Sequence, residues 1–279
     1  MGSLHERMKL YEAVPQLTLT ARTPLIVRVD GRAFHTLTQH CERPFDSKLN
    51  AAMAQTAVTL CQEIDGAQLA YVQSDEISIL AIDYLTLDSA PWFGGNVQKI
   101  TSVSASVATV AFNRWAFHNG FSLPRWATFD ARVFVLPKED VVNYFVWRQQ
   151  DWNRNSLNMF AQAYFSHDEL RRLSKSQVHE KLFTEKGANW AHLPTHLKNG
   201  ICVYAGCHVS SPPQRTPRQR ASGRSGRLIV NHQCLLDIAS TLRDTCTLSS
   251  PHRLVYTERL SDCFRMAKIV PTILLILRP

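Results

Sequence analysis

The stretch Arg28-Val29-Asp30-Gly31-Arg32-Ala33-Phe34-His35 constrains this chain more than any other. The run from Leu25 to Val29 that leads into it reads as a short buried strand. The strand ends in a carboxylate, a glycine and an arginine. Such a tip offers a hard cation two kinds of oxygen, the Asp30 carboxylate and a nearby backbone carbonyl. Gly31 allows the main chain to turn sharply and to approach a ligand closely. Mg²⁺ favours oxygen ligands of this sort and leaves its remaining positions to water and substrate phosphates. Taken alone, Asp-Gly is equally an ordinary solvated turn.

A second stretch narrows the choice. Leu69 to Val72 and Ile77 to Ile82 read as two strands joined by Gln73-Ser74-Asp75-Glu76, a hairpin with acids at its tip. If the hairpin lies beside the Leu25–Val29 strand, Asp30 and Asp75 converge. Two uncompensated carboxylates at close range raise each other's pKa, and a cation between them is then favoured. The arrangement suits two-metal phosphoryl or nucleotidyl transfer.

Composition sets the limits. The chain of 279 residues is 45% apolar, enough for one large domain or two modest ones. No apolar run reaches membrane-spanning length, and Met1 to Arg7 is not followed by a secretory core, so a cytoplasmic protein without a membrane partner is expected. The formal charge of +8 is concentrated at one end. Residues 205–279 hold 11 of the 31 Lys and Arg against 4 of the 23 Asp and Glu. The first 204 residues carry 20 bases and 19 acids, so net charge alone does not make the body a nucleic-acid binder.

The chain has a consistent order. A short helix covers Met8 to Ala13, and Ala33 to Thr38 starts a helical turn. A helix capped at Asp46 or Ser47 places Leu49, Met53, Ala57, Leu60 and Ile64 on one face before Gly66 ends it. Residues 97–118 form a long helix with Lys99 in its first turn, where a cation is electrostatically misplaced and an anionic ligand is one explanation. Thr128 to Leu136 is a strand. Asp140 to Phe165 is a second long helix, on which Arg148, Asp151 and Asn155 share a face that is either solvated or a ligand surface. One further polar helix is expected over Ser166 to Lys186, and a last strand or arm over Pro194 to Tyr204. Pro212 to Arg227, with five arginines, three prolines and no acid, has the composition of a disordered segment. These readings give a catalytic core over 1–137, a helical remainder over 138–204 and a basic tail over 205–279.

In their order and spacing, these motifs resemble the tRNA-histidine guanylyltransferase superfamily, and within it the guanylyltransferase-like branch of 3′-to-5′ nucleotide polymerases. The resemblance is carried by Val27 to His35, Arg43-Pro44-Phe45-Asp46, Gln73 to Ser78, Trp147-Arg148-Gln149, Arg154-Asn155-Ser156 and Lys186 to Trp190 with Pro194. It covers residues 8–204 and implies an α+β fold, a polymerase- or cyclase-like palm whose mainly antiparallel sheet packs against long helices. It further implies two Mg²⁺ ions on Asp30, the Gly31 carbonyl and Asp75, with Asp30, Asp75 and Glu76 as catalytic acids. The triphosphate, GTP or another nucleotide with ATP for activation, is expected along Asp30, Gly31, Arg32, Ala33, Phe34 and His35 and against Ser74 and Asp75. Arg28, Arg43, Lys99, Arg148, Asn155 and Ser156 become candidates for phosphates or the RNA end. The implied substrate is the 5′ end of a tRNA, and the implied assembly a homotetramer.

Two departures from the family pattern stand out. Trp152-Asn153-Arg154-Asn155-Ser156 replaces a His-Ile-Asn-Asn-type motif, which favours the template-dependent repair branch, and the tail after Tyr204 is unlike the family's ending. Two other readings compete with the leading one: a nucleotide cyclase-like palm enzyme, and a catalytically impaired relative that binds RNA through its basic tail.

Overall fold

The computed structural model describes residues 3–205 and 228–231. The chain divides after Leu242 into two units, and only the first contains described residues. The expected character of the 205–279 tail therefore falls outside the described residues, apart from one short strand.

Six strands form one sheet in the order β4-β1-β3-β2-β5-β6. They are β1 (Leu25–Gly31), β2 (Ala67–Gln73), β3 (Glu76–Ala81), β4 (Phe129–Val135), β5 (Ile201–Ala205) and β6 (Leu228–Asn231). Every neighbouring pair is antiparallel. The central strands are buried on both faces, which explains why their sequences are apolar almost throughout.

Side-chain alternation assigns those faces. Val27, Val29, Ile77, Ile79, Ala70 and Val72 point to the side covered by α3 (Ser47–Glu63) and α4 (Val97–His118). Ile26, Leu80, Leu69 and Tyr71 point to the other side, where Val141, Tyr144 and Phe145 of α5 (Val141–Gln162) cover them. Asp46 caps α3 by accepting from the Leu49 N–H, as the sequence pattern predicts. Asn96 caps α4 in the same way through the Lys99 N–H.

The remaining helices are short. They are α1 (Leu4–Ala13), α2 (Phe34–Leu37), α6 (His167–Leu170), α7 (Lys175–Lys186) and α8 (Thr195–Asn199). One expectation is corrected here, because the polar helix read over Ser166 to Lys186 is two helices. Arg172 adopts a left-handed φ of 67° and breaks the run. Ser174 then starts α7 with a capping box to Gln177, just as Ser166 and Glu169 start α6. Beyond the sheet, the C-terminal half of α5 packs Leu157, Phe160 and Ala161 against Val178 and Leu182 of α7. The chain then returns through α8 to place β5 beside β2.

Candidate active site

Strand registry builds the site. Asp30 stands opposite Glu76 on β3 and Asp130 on β4. One step back along the same face, Arg28 stands opposite Ser78 and Arg132. Three neighbouring strands thus carry a row of acids at their tips, with arginines directly behind on β1 and β4 and Ser78 behind on β3. The Arg28 and Arg132 guanidinium groups both reach to 3.7 Å from the Asp30 carboxylate. Pairing of this kind lets so many acids share one sheet edge.

A two-residue turn brings in Asp75. Ser74 takes a left-handed φ of 50°, and Gln73 pairs with Glu76 across the hairpin. The Gly31 N–H donates to the Asp75 carbonyl at 3.0 Å, and the Arg32 N–H donates to the Thr128 carbonyl at 2.9 Å. These bonds fasten the β1 tip between the β2–β3 turn and the approach to β4. Gly31 is required by what lies beneath it. A Cβ there would fall 2.4 Å from the Phe34 ring, which is wedged against Phe112 and Phe129 at ring-centre distances of 5.4 and 5.1 Å.

The three acids differ in their surroundings. Burial, with the nearby Asp30 charge as a lesser cause, pushes the Asp75 carboxyl up to about 6. Glu76 is also raised, by burial first, with Arg148 and Arg28 opposing. Both Glu76 oxygens are engaged: Arg148 contacts Oε1 at 2.9 Å and Oε2 at 3.0 Å, Arg28 holds Oε2 at 2.5 Å, and Ser78 Oγ donates to Oε1 at 3.3 Å. Arg148 in turn bonds Asp151 at 2.9 Å, and Asp151 also pairs with Arg154. Glu76 is therefore neutralised by guanidinium groups. Asp75 has no such partner among the described residues.

A cleft opens above this edge. Its sheet wall carries Arg28, Asp30, Gln73, Ser74, Asp75 and Glu76. Its helical wall is α5, from Arg148 and Asp151 through Trp152 and Asn155 to Asn158, Met159 and Gln162. Of the residues singled out in the sequence, Asp30, Ser74, Asp75, Glu76, Arg28, Arg148 and Asn155 line the cleft. Gly31, Arg32, Ala33, Phe34 and His35 follow directly from its floor. Arg32, Ala33 and His35 are exposed, whereas Phe34 is buried in the core.

Three candidates sit elsewhere. Arg43 is exposed in the loop before α3, two residues from Phe45, whose ring meets Trp152 at 6.5 Å. Ser156 is buried and braces the chain: it donates to the Leu197 carbonyl at 2.6 Å and accepts from Trp190 Nε1 at 3.0 Å. Lys99 lies over the Phe93 ring at 4.6 Å. That position is by the opposite end of β1, where Trp92 and Gly95 share a small cavity with Leu25. Gln73, Trp152, Asn158, Met159 and Gln162 were not among the site residues expected from the sequence, although Gln73 and Trp152 lie in motifs noted there. Extending the helical count from Arg148 past Asn155 reaches Asn158, Met159 and Gln162.

The donor set suits Mg²⁺. Among the described residues no three His, Cys, Asp or Glu side chains gather to hold a metal. Two carboxylates and a backbone carbonyl are nevertheless hard oxygen donors, and the uncompensated Asp75 carboxylate is the group a cation would relieve.

An antiparallel palm that brings two carboxylates to its strand tips beneath a helical wall suits nucleotidyl transfer, the chemistry of the nucleotidyltransferases. Comparison with known proteins makes this specific. The family model described as tRNAHis guanylyltransferase matches residues 5–137. A bacterial tRNA(His) guanylyltransferase-like protein solved in complex with ATP superposes with a TM-score of 0.75 at 42% identity, over 85% of this chain and 96% of that one. The corresponding GTP complex gives 0.67 at 38% identity, over 86% and 96%. A probable tRNA(His) guanylyltransferase of Dictyostelium discoideum is 27% identical over 249 residues, covering 83% of this chain and 92% of the relative. This chain belongs to the tRNA(His) guanylyltransferase family and is a nucleotidyltransferase.

Proposed function

We propose that this protein is a Mg²⁺-dependent nucleotidyltransferase that adds nucleotides in the 3′-to-5′ direction to the 5′ end of tRNA, in the cytoplasm and as a homotetramer. The observation that carries the reading is the junction of Gly31 and Asp75, where one hydrogen bond holds the Asp30 tip against the Asp75 turn. The substrates are a nucleoside triphosphate, GTP or another, and an RNA 5′ end. Both guanylyltransferase-like neighbours were solved with a nucleotide, one with ATP and one with GTP.

The chemistry divides into two transfers. In the first, an oxygen of the RNA 5′-monophosphate forms a bond to the α-phosphorus of ATP or GTP, and pyrophosphate leaves. In the second, the 3′-hydroxyl of the incoming nucleotide forms a bond to the RNA 5′-phosphorus. The activating nucleoside monophosphate leaves, or pyrophosphate when the end is already a triphosphate, and the hydroxyl proton passes to solvent. Asp30, the Gly31 carbonyl and Asp75 would hold two Mg²⁺ ions, which supply activation of the hydroxyl and charge neutralisation on the leaving group. The main chain from Asp30 to His35 and the Ser74–Asp75 turn form the nucleotide seat. Glu76 is a positioning residue, because its oxygens are committed to Arg28 and Arg148. Arg28 remains at the cleft with Asp30 within reach, placed to meet phosphate oxygens.

Nucleotide addition to a tRNA lacking its first 5′ nucleotide tests this reading, with labelled triphosphates and Mg²⁺. Template-matched addition by wild type, lost in Asp30→Ala and in Asp75→Ala, is the expected result. A folded wild type that adds nothing to monophosphate or triphosphate ends would refute it.

A further inference from the structure

The cleft wall facing the carboxylates differs chemically from the sheet wall. We infer that the α5 wall beyond Asp151 recognises the bases of the RNA end and not its phosphates, through Asn155, Asn158 and Gln162. The inference rests on the functional reading above and names the part of the RNA that this side of the site takes.

The cleft-facing residues Trp152, Asn155, Asn158, Met159 and Gln162 follow the period of the helix and form one stripe. None carries a charge. The three amide side chains are exposed and hydrogen-bond no other group among the described residues. Polar side chains on the rest of this segment are already engaged. Asn153 donates to the Lys198 carbonyl and to Asn199 Oδ1, Ser156 bonds Leu197 and Trp190, and Arg154 pairs with Asp151. Beyond Asp151 the helix thus engages Asn153, Arg154 and Ser156 elsewhere and leaves three amides to the cleft.

Amides suit bases. Each offers a donor and an acceptor side by side, which matches the edge of a nucleobase. Phosphates are met chiefly by cations and backbone N–H groups, with neutral side chains as additional donors, and the cleft's arginines, Arg28 on β1 and Arg148 on α5, are gathered around Glu76 before the stripe begins. RNA ends are read where unstacked bases can be splayed against apolar and amide side chains. Trp152 supplies a rigid floor, set edge-on against Phe45. Across the cleft, Gln73 Oε1 is a buried acceptor without a hydrogen-bond partner among the described residues, and Trp152 Nε1 is a buried donor in the same condition.

Dependence on base identity separates the two modes of binding. Losing a base contact costs affinity for the RNA end whose bases are read and relaxes discrimination between ends, whereas losing a phosphate contact weakens binding uniformly across sequences. The probes are labelled tRNAs lacking their first 5′ nucleotide and differing in the bases of that end, bound to wild type and to Asn158→Leu/Gln162→Leu. About tenfold weaker binding to the end that wild type prefers, with less discrimination between ends, is expected, and ATP affinity stays within about twofold. An equal loss for every end assigns the stripe to phosphates and overturns the inference, as does unchanged affinity. Asn155→Leu carries the same test if the double variant fails to fold. A wild type that binds none of these tRNAs overturns the functional reading as well, so the two failures are distinguishable.

Discussion

The Arg148 guanidinium holds Glu76 by both oxygens, with Nε at 2.9 Å from Oε1 and Nη2 at 3.0 Å from Oε2. Both side chains are buried. The pair fastens α5 to the β2–β3 hairpin at the point where the helix leaves the apolar sheet and begins to form the cleft wall. Removing one partner leaves a buried charge short of compensation, which is far more costly than the net worth of the pair. Arg148→Met should therefore lower stability by about 3 kcal/mol. Glu76→Gln should cost a similar amount, and the double variant clearly less than the sum. Urea unfolding of the four proteins measures this. Strict additivity would show that the two residues act independently.

Asp75 predicts a pH dependence. Its folded value of about 6 lies above the ordinary 3.8, so the folded state holds the proton more tightly. Its contribution to stability is complete below 3.8 and is lost as the pH rises through about 6. Asp75→Asn should raise the free energy of urea unfolding near neutral pH by up to about 3 kcal/mol, and leave it unchanged in acid where both forms are neutral. Mg²⁺ should raise the melting temperature of wild type more at neutral pH than near pH ~5, and much less in the variant. Equal stabilities of the two proteins across that range would refute the account.

Gly31 is fixed by packing. Its missing Cβ would meet the Phe34 ring at 2.4 Å, and that ring is hemmed in by Phe112 and Phe129. Gly31→Ala should destabilise the fold by about 1–3 kcal/mol and disturb the β1 tip. Gly31→Ala/Phe34→Leu should recover part of that loss in thermal unfolding. No recovery would place the strain in the backbone.

Ser156 links three elements. Its hydroxyl joins α5 to the Leu197 carbonyl and to the Trp190 indole. Ser156→Ala should cost about 1–2 kcal/mol and shift tryptophan emission to the red, with the RNA affinity of the folded variant unchanged. Weaker RNA binding by the folded variant would return Ser156 to the RNA contacts.

The sheet and its loaded tip were readable because they depend on local signals. The apolar strand runs, the Asp46 cap and the Ser74–Asp75 turn are each written within a few residues. The break at Arg172 was not readable in the same way, since a left-handed arginine leaves no strong compositional mark. The capping pair Ser174 and Gln177 was its only trace.

Side-chain duty was the harder part. Glu76, Asp75 and Asp30 look alike in the sequence, as do Asn155 and Ser156. By itself the sequence determined an antiparallel palm, the acids at its edge and the membership of its family. Only the tertiary structure decided that Glu76 is spent on two arginines while Asp75 has no arginine partner among the described residues, and that Asn155 faces the cleft while Ser156 turns away to Trp190. The reason is physical. The state of a carboxylate depends on charges brought close from other strands and helices, and chain neighbours alone do not reveal them.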